Sequence, residues 1–391
     1  MRRLSADALV PQAPASLDAL VVRERPAEGP LRRIVSAGDT GLSGRLAPLA
    51  ESGHDPFREI APVLRSADVA FVNLETPLVE GDLRGRFFAA PLSASALLAG
   101  GGIGLVNLAN NHVLDHGPEA LEATRRSLAE NGIEVLGTRG LVTTELGGLR
   151  VGWLGCARTH QAQDPEREGF WEYDPAELGV AVAEARGRVD VLVVSVHMGY
   201  MYVDYPHPEQ RRQVLALLDR GADLVLLHHA HVPQGIETAP GGGLACYNLG
   251  NLLLDWEEGE IEVGVMIEEQ RSGGLFVFDV DRRGVARAFV LPVRVDDGWT
   301  VRWAVGETGR AVLDRLERIS RWDRDTSALF HRQLAERTAG LAFRSVVREI
   351  RRGKVRAIFE LLPRLRAHHV RMVASWLATR LQGGFKRFGP G

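Results

Sequence analysis

Cysteine is scarce. Cys156 and Cys246 are the only two in 391 residues, far apart and in no CxxC spacing. That leaves no disulfide framework, and two buried spectator thiols in a reducing compartment are the expectation. Long apolar runs are missing too: no window approaches 18 uninterrupted apolar residues, so hydropathy predicts no spanning helix. Met1–Pro30 carries Arg2 and Arg3, but Asp7, Pro11, Gln12, Pro14 and Asp18 interrupt the apolar stretch a secretory leader needs. The chain therefore reads as cytoplasmic, with peripheral attachment to the inner membrane face left open. No internal repeat is visible.

Charge of one sign is unevenly spread. The whole chain is near neutral, at −3. Residues 301–391 nevertheless carry 20 Arg or Lys against 8 Asp or Glu, which leaves 27 against 42 for residues 1–300. Nearly all the positive charge is arginine, which favours pairing with oxyanions. Such a split predicts a basic module or docking surface appended to an acidic domain. The length suits one large domain plus that appendage.

Residues 1–30, with little periodicity, read as a loosely ordered leader. Short apolar runs then predict buried strands at Arg33–Ala37, Val69–Leu74, Ile103–Leu108, Val151–Gly155, Val191–Val196 and Leu224–Leu227. Helical patterns lie between several of them: Pro56–Ser66, Pro118–Asn131, Pro175–Gly187 and Pro208–Gly221, each with proline at the start and the last three with glycine at or just after the end. Beyond residue 240 the pattern turns β-rich, at Leu244–Leu249, Ile261–Ile267, Leu275–Val280 and Ala286–Val293. From Gly306 onward it is helical and rich in arginine. The expectation is an α/β sandwich over residues 31–300 and a basic helical tail over 301–391. Within the tail, residues 343–381 interleave arginines with an apolar stripe. That pattern suits a membrane surface, a protein partner or internal packing alike. No nucleic-acid module accompanies it, so nucleic acid is not expected.

Chemistry gathers where the strands end. The run Leu226-Leu227-His228-His229-Ala230-His231 closes one of them. In an extended segment, side chains two apart share a face, so His229 and His231 would face one ion while His228 points elsewhere. A solvated histidine-rich loop is the competing reading. Other strand ends carry Asp39, then Asn73 and Glu75, then Asn110, Asn111, His112, Asp115 and His116, and His197. Singly, each has a structural explanation: a turn aspartate, an Asx-turn, a satisfied core histidine. Together, carboxylates, amides and imidazoles after separate apolar strands resemble the ligand set of a metal hydrolase.

In this order, Gly38-Asp39, Asn73-Leu74-Glu75-Thr76-Pro77, Ala109-Asn110-Asn111-His112, His197-Met198-Gly199, His228-His229-Ala230-His231 and Asn248-Leu249-Gly250-Asn251 resemble the CapA family over residues 31–295. These are capsule and poly-γ-glutamate biosynthesis proteins of the calcineurin-like metallophosphatase superfamily. The resemblance implies a four-layer α/β/β/α sandwich with a C-terminal helical extension, holding one or two divalent ions, Mn, Fe or Zn. Asp39, Glu75, Asn111, His197, His229 and His231 would be ligands. His112 would be the acid that protonates a leaving oxygen, and Asp115 would orient an imidazole or cap a helix. Arg45, Asn110 and Asn251 would hold the substrate, an anionic polymer or phosphoester, although a surface ion pair explains Arg45 equally well. The implied activity is hydrolysis by metal-activated water. A non-hydrolytic accessory role in a polymer-synthesising complex, docked through the basic tail, is the alternative. Three departures stand out. Gly41 replaces the histidine that general metallophosphatases carry two residues after the aspartate, Met198 and Met201 replace the tryptophan and glutamate of the family's HWGxE segment, and the usual N-terminal anchor is not seen.

Overall fold

Strand and helix alternate from Arg32 onward in the computed structural model, which describes residues 1–158, 169–255, 268–322 and 325–337. Strands β1 (Arg2–Ser5) and β2 (Asp18–Glu24) pair antiparallel, and β3 (Arg32–Thr40) opens the alternating region. Helices α1 (Leu46–Glu51) and α2 (Ala61–Arg65) lead to β4 (Val69–Leu74). The short β5 (Leu78–Val79) and β6 (Ala90–Pro91) pair with each other. Then come α3 (Ala94–Gly101), β7 (Leu105–Asn107), α4 (Gly117–Glu130) and β8 (Glu134–Leu136). The hairpin β9 (Val142–Leu146) and β10 (Leu149–Ala157) is followed by α5 (Pro175–Arg186), β11 (Val191–His197), α6 (Pro208–Asp219) and β12 (Leu224–His228). Short strands β13 (Ile236–Thr238), β14 (Leu244–Cys246) and β15 (Asn251–Leu253) follow. One helical turn, α7 (Glu268–Arg271), precedes the long hairpin β16 (Ser272–Asp281) and β17 (Gly284–Val295), then β18 (Val301–Trp303) and α8 (Gly306–Ile319).

Local chemistry sets several of these boundaries. Asp174 accepts from the N–H groups of Ala176 and Glu177, which caps α5 ahead of Pro175. The His207 ring does the same for α6 through Glu209 N–H, ahead of Pro208. Pro56–Ser66, expected as one helix, is helical only over Ala61–Arg65; Asp55 caps a turn at Phe57 instead.

The larger sheet has the order β1-β2-β17-β16-β3-β4-β7-β8, with β15 added to β3 and β18 to β17. The smaller runs β13-β14-β12-β11-β10-β9. Ala70, Val72 and Leu74 on one face of β4 join a core with α2, α3 and α4. Leu192, Val194 and Val196 of β11 join another with α5 and α6. The opposite faces meet each other: the Phe71 and Trp153 rings stack across the two sheets at 5.6 Å. The result is the expected α/β/β/α sandwich. In it the parallel strands β3, β4 and β7 of one sheet and β10, β11 and β12 of the other end at the loops that carry the polar motifs.

Two boundaries are corrected. Residues 1–30 are not a loosely ordered leader. Leu17, Ala19, Leu20 and Val21 are buried, and β2 pairs with β17, so this segment completes the edge of the larger sheet. The tail does not start at 301 either. The chain divides into Met1–Arg324 and Asp325–Gly391. β18 and α8 belong to the first unit because Leu313, Leu316 and Ile319 are buried and Arg3 pairs with Asp314 at 2.7 Å. The strand expected at 261–267 and the basic interval 343–381 lie outside the described residues. Among the described residues, no helix is long and apolar enough to cross a membrane.

At the turn between β16 and β17, Asp281 is 1% exposed and accepts from both Arg25 guanidinium nitrogens (2.6 and 2.8 Å) and from the N–H groups of Glu28 and Arg283. The Arg25 hydrogen bonds hold this carboxyl well below the usual carboxylate range. Its stabilisation is complete above its unfolded value, near pH 4, and is lost as pH falls through the lower folded value. Asp281→Asn is expected to cost about 2 kcal/mol. In urea unfolding, the gap from the parent should stay constant over pH 5–8 and narrow below pH 4.

Candidate metal centre

The site is built by forcing strand ends together. Gly38 precedes Asp39 because β3 there lies against the Leu249–Gly250 turn: a Cβ on Gly38 would sit 1.9 Å from the Gly250 carbonyl oxygen. That closeness lets Asp39 N–H donate to Gly250 O at 2.8 Å and sets Asp39 opposite Asn251 on β15 and Asn73 on β4. The β3–β4 register slips between Ser36 and Asp39, an irregularity of the kind that re-aims side chains next to functional sites. On the facing sheet, His197 and His228 are partners across β11 and β12.

The side chains converge on two carboxyl groups. Asp39 Oδ1 accepts from Asn73 Nδ2 at 2.8 Å, and Oδ2 accepts from the His229 N–H at 3.0 Å. His231 Nδ1 lies 3.3 Å from Asp39 Oδ2 and 3.0 Å from Asn251 Oδ1. His197 Nε2 is 2.7 Å from Asn111 Oδ1, 3.1 Å from His229 Nδ1 and 3.5 Å from Glu75 Oε1. His231 Nε2 is 3.8 Å from that same Glu75 oxygen. Glu75, His229 and His231 each offer a ligand atom within 4.8 Å of the others. At the mouth, His112 Nδ1 meets Asp115 Oδ2 at 2.6 Å, and the imidazole lies parallel to the Phe88 ring at 4.1 Å.

Burial dominates the electrostatics. It pushes the Asp39 carboxyl up to about 7, against the pull of the His229 N–H and the Asn73 amide. It raises Glu75 well above the carboxylate range, and the Asp39 charge raises it further. His197 and His231 are held well below the ordinary imidazole value by burial and then by neighbouring imidazoles, and burial takes His228 down to about 3. Neutral imidazoles are the form that ligates metal. Both Glu75 oxygens are buried with no hydrogen-bond partner among the described residues. An acidic group in that state is costly unless paired or coordinated to a cation. The mixed nitrogen and oxygen donors fit a divalent transition ion better than calcium.

Residues 33–256, more than half of the chain, match the family described as bacterial capsule synthesis protein PGA_cap. The chain belongs to this family. It is similar to the capsule biosynthesis protein CapA of Bacillus anthracis, at 25% identity over 290 residues covering 67% of this chain and 70% of that protein. The PGA biosynthesis protein CapA of Bacillus subtilis strain 168 is 24% identical over 260 residues, 62% of this chain and 65% of that one. Among solved structures, a hypothetical protein from Thermus thermophilus aligns over 66% of this chain and 99% of its own, with 18% identity and a TM-score of 0.43. The 5'-nucleotidase from Candida albicans aligns over 76% of this chain and 59% of its own, with 11% identity and a TM-score of 0.40.

In this PGA_cap chain Asp39, Glu75, Asn111, His197, His229 and His231 are brought together, with His112 and Asp115 beside them. His229 and His231 do not meet by strand alternation. The strand ends at His228, and both residues adopt positive φ, 92° and 56°. That left-handed backbone is costly for a side-chain-bearing residue and concentrates at functional sites. Three residues expected at the substrate make contacts within the protein. Asn110 uses its amide internally, donating to Leu74 O at 2.8 Å and accepting the His112 N–H at 3.0 Å. Asn251 is buried against His231. Arg45 forms the ion pair, through Nε and Nη2 to Asp255 at 3.0 and 2.5 Å, with its guanidinium over Trp299. Two contributors, Asn73 and Phe88, have no assigned role in the sequence reading. A lone amide inside Val-Asn-Leu is the available signal for the first, and nothing local marks the second.

The Gly38–Gly250 approach generates a test. Gly38→Ala must push the Asn248–Asn251 turn away from Asp39. A loss of about 1–3 kcal/mol, typical of overpacking, is expected in denaturant unfolding; an unchanged midpoint would contradict the close approach.

Proposed function

We propose that this protein is a metal-dependent hydrolase with a phosphoesterase-type site, acting in the biosynthesis of capsule, poly-γ-glutamate or a related anionic polymer. The observation that carries the reading is Glu75, a buried carboxyl whose two oxygens have no hydrogen-bond partner among the described residues and whose Oε1 faces His197 and His231. Glu75, Asp39, Asn111, His197, His229 and His231 would hold the cation. When bound, a divalent ion supplies Lewis-acid polarisation of a substrate oxygen and lowers the pKa of water.

The remaining work falls to this chain's own residues. His112 carries the proton for the leaving oxygen at Nε2, because Nδ1 faces Asp115, which orients the ring and stabilises the imidazolium. Phe88 restrains the ring plane from one side. The pair is only partly buried, 14% and 24% exposed, so a substrate can reach it while the donors below stay shielded from water. The polymer assignment follows from family membership and from what the Bacillus relatives are named for. A non-hydrolytic accessory role is the second reading. It is favoured by Met201, exposed on the loop after His197 where the family segment carries glutamate.

Elemental analysis after reconstitution with Mn, Fe or Zn should find near-stoichiometric metal, and Glu75→Gln should lose it. His112→Ala should retain metal while hydrolysis of p-nitrophenyl phosphate or its bis-ester falls by roughly 10²–10⁴. Parent protein that takes up none of these metals would refute the hydrolase. Bound metal without turnover of either ester would favour the accessory reading.

A further inference from the structure

His228 has no role among the ligands or at the mouth, yet it is the most anomalous side chain near them. It is wholly buried, and neither ring nitrogen has a hydrogen-bond partner among the described residues. Its ring packs edge-on against Phe71, with centroids 5.9 Å apart. Leu226 and Leu227 on the same strand are also fully buried, so an apolar residue would satisfy packing at this position without stranding two polar atoms. Its nearest charged neighbour is Asp39: Nδ1 lies 3.6 Å from Oδ1. That distance is just beyond a hydrogen bond. Oδ1 accepts only from Asn73 Nδ2 among the described residues, and a carboxylate oxygen has capacity for a second donor. The other oxygen, Oδ2, is the one facing His231 and the His229 N–H.

We propose that His228 is a positioning residue for Asp39, its Nδ1–H donating to Oδ1 once a cation is seated against the carboxylate. The inference rests on the metal-centre reading above. By holding the carboxylate in place, His228 favours the metal-loaded state over the metal-free one, and partners of this kind typically change metal affinity by about 10–100-fold. It enters from β12, opposite His197, and locks the carboxylate from the side away from His231.

The test measures zinc affinity by chelator competition, together with the melting temperature of chelator-treated protein, for the parent, His228→Leu and His228→Asn. Leucine keeps the contact with Phe71 and removes the donor. The asparagine amide nitrogen lies about as far from the backbone as Nδ1 does. The expected result is a roughly 10–100-fold weaker affinity for the leucine variant, no loss of metal-free melting temperature, and recovery of most of the affinity with asparagine. Equal affinity for parent and leucine variant would overturn the proposal. So would a metal-free melting temperature lowered as much as the zinc-loaded one, which would mean packing alone. Loss in both variants, with a changed absorption spectrum of the cobalt-substituted protein, would make His228 a ligand and also overturn it. A parent that binds no zinc, manganese or iron fails the metal-centre reading instead, and is detected before any variant is made.

Discussion

The architecture turns on burying one carboxyl group, Asp39, where two sheets meet. Its ion-pair neighbours among the described residues are imidazoles rather than lysine or arginine, so the folded chain shields it from water without balancing its charge. Two N–H donors, from Asn73 and His229, supply part of the lost solvation. Each exists because a strand ends at a particular place. β4 brings Asn73 level with Asp39, and the break after β12 turns the His229 N–H inward. The glycines at 38 and 250 let β3 and the β15 turn close to backbone contact, which removes water from the third side. A pocket of this kind holds two carboxyl groups and several imidazoles away from water. It is well matched to a small divalent cation, whose ligands must be carboxylates and neutral imidazoles.

The same constraint accounts for the residue at position 41. A Cβ there would meet Thr76 Oγ1 at 2.1 Å and a Leu254 methyl at 2.6 Å. A side chain at position 41 would have to move both of these side chains, which fits glycine there. The nitrogen-rich side of the centre comes instead from the opposite sheet, through β11, β12 and the turn after it.

Much of this is legible in the sequence, because strand ends announce themselves as polar residues after apolar runs. Val69–Leu74 is a strand with the bounds its apolar run predicts, and the order of the motifs sets six ligand candidates at or just past the ends of five strands, which the fold does bring together. The features that escape sequence reading are of another kind. Leu17, Ala19, Leu20 and Val21 look unremarkable in a supposed leader until β17 arrives from far along the chain to pair with them. The tail boundary is hidden because α8 is as rich in charge as the basic segment beyond it, and only its buried face ties it to the first unit. Strand alternation groups His229 with His231 correctly for a wrong reason, since left-handed φ values at non-glycine residues leave no trace in composition. Asn110 and Asn251 show the opposite limit: polar residues within functional motifs can also hold neighbours in place.

Depth separates the site into parts with different freedoms. Glu75, Asp39, His197 and His231 are buried, so any change among them alters an unsolvated charge or donor and is felt at once by the others. His112 and Asp115 sit higher and reach solvent. Tyr200 and Met201, on the loop that follows His197, are 44% and 39% exposed. The departures from the family's HWGxE segment sort by this depth. Met198 is buried among Val194, Val196 and the α5–α6 helices, where an apolar side chain of tolerant shape substitutes for an indole by filling space. Met201 replaces a charge with a thioether on that loop. A carboxylate lost there cannot change the electrostatics of Asp39 as a buried one would, because solvent screens it. The changes in this segment therefore leave the buried donors around Asp39 and Glu75 in place.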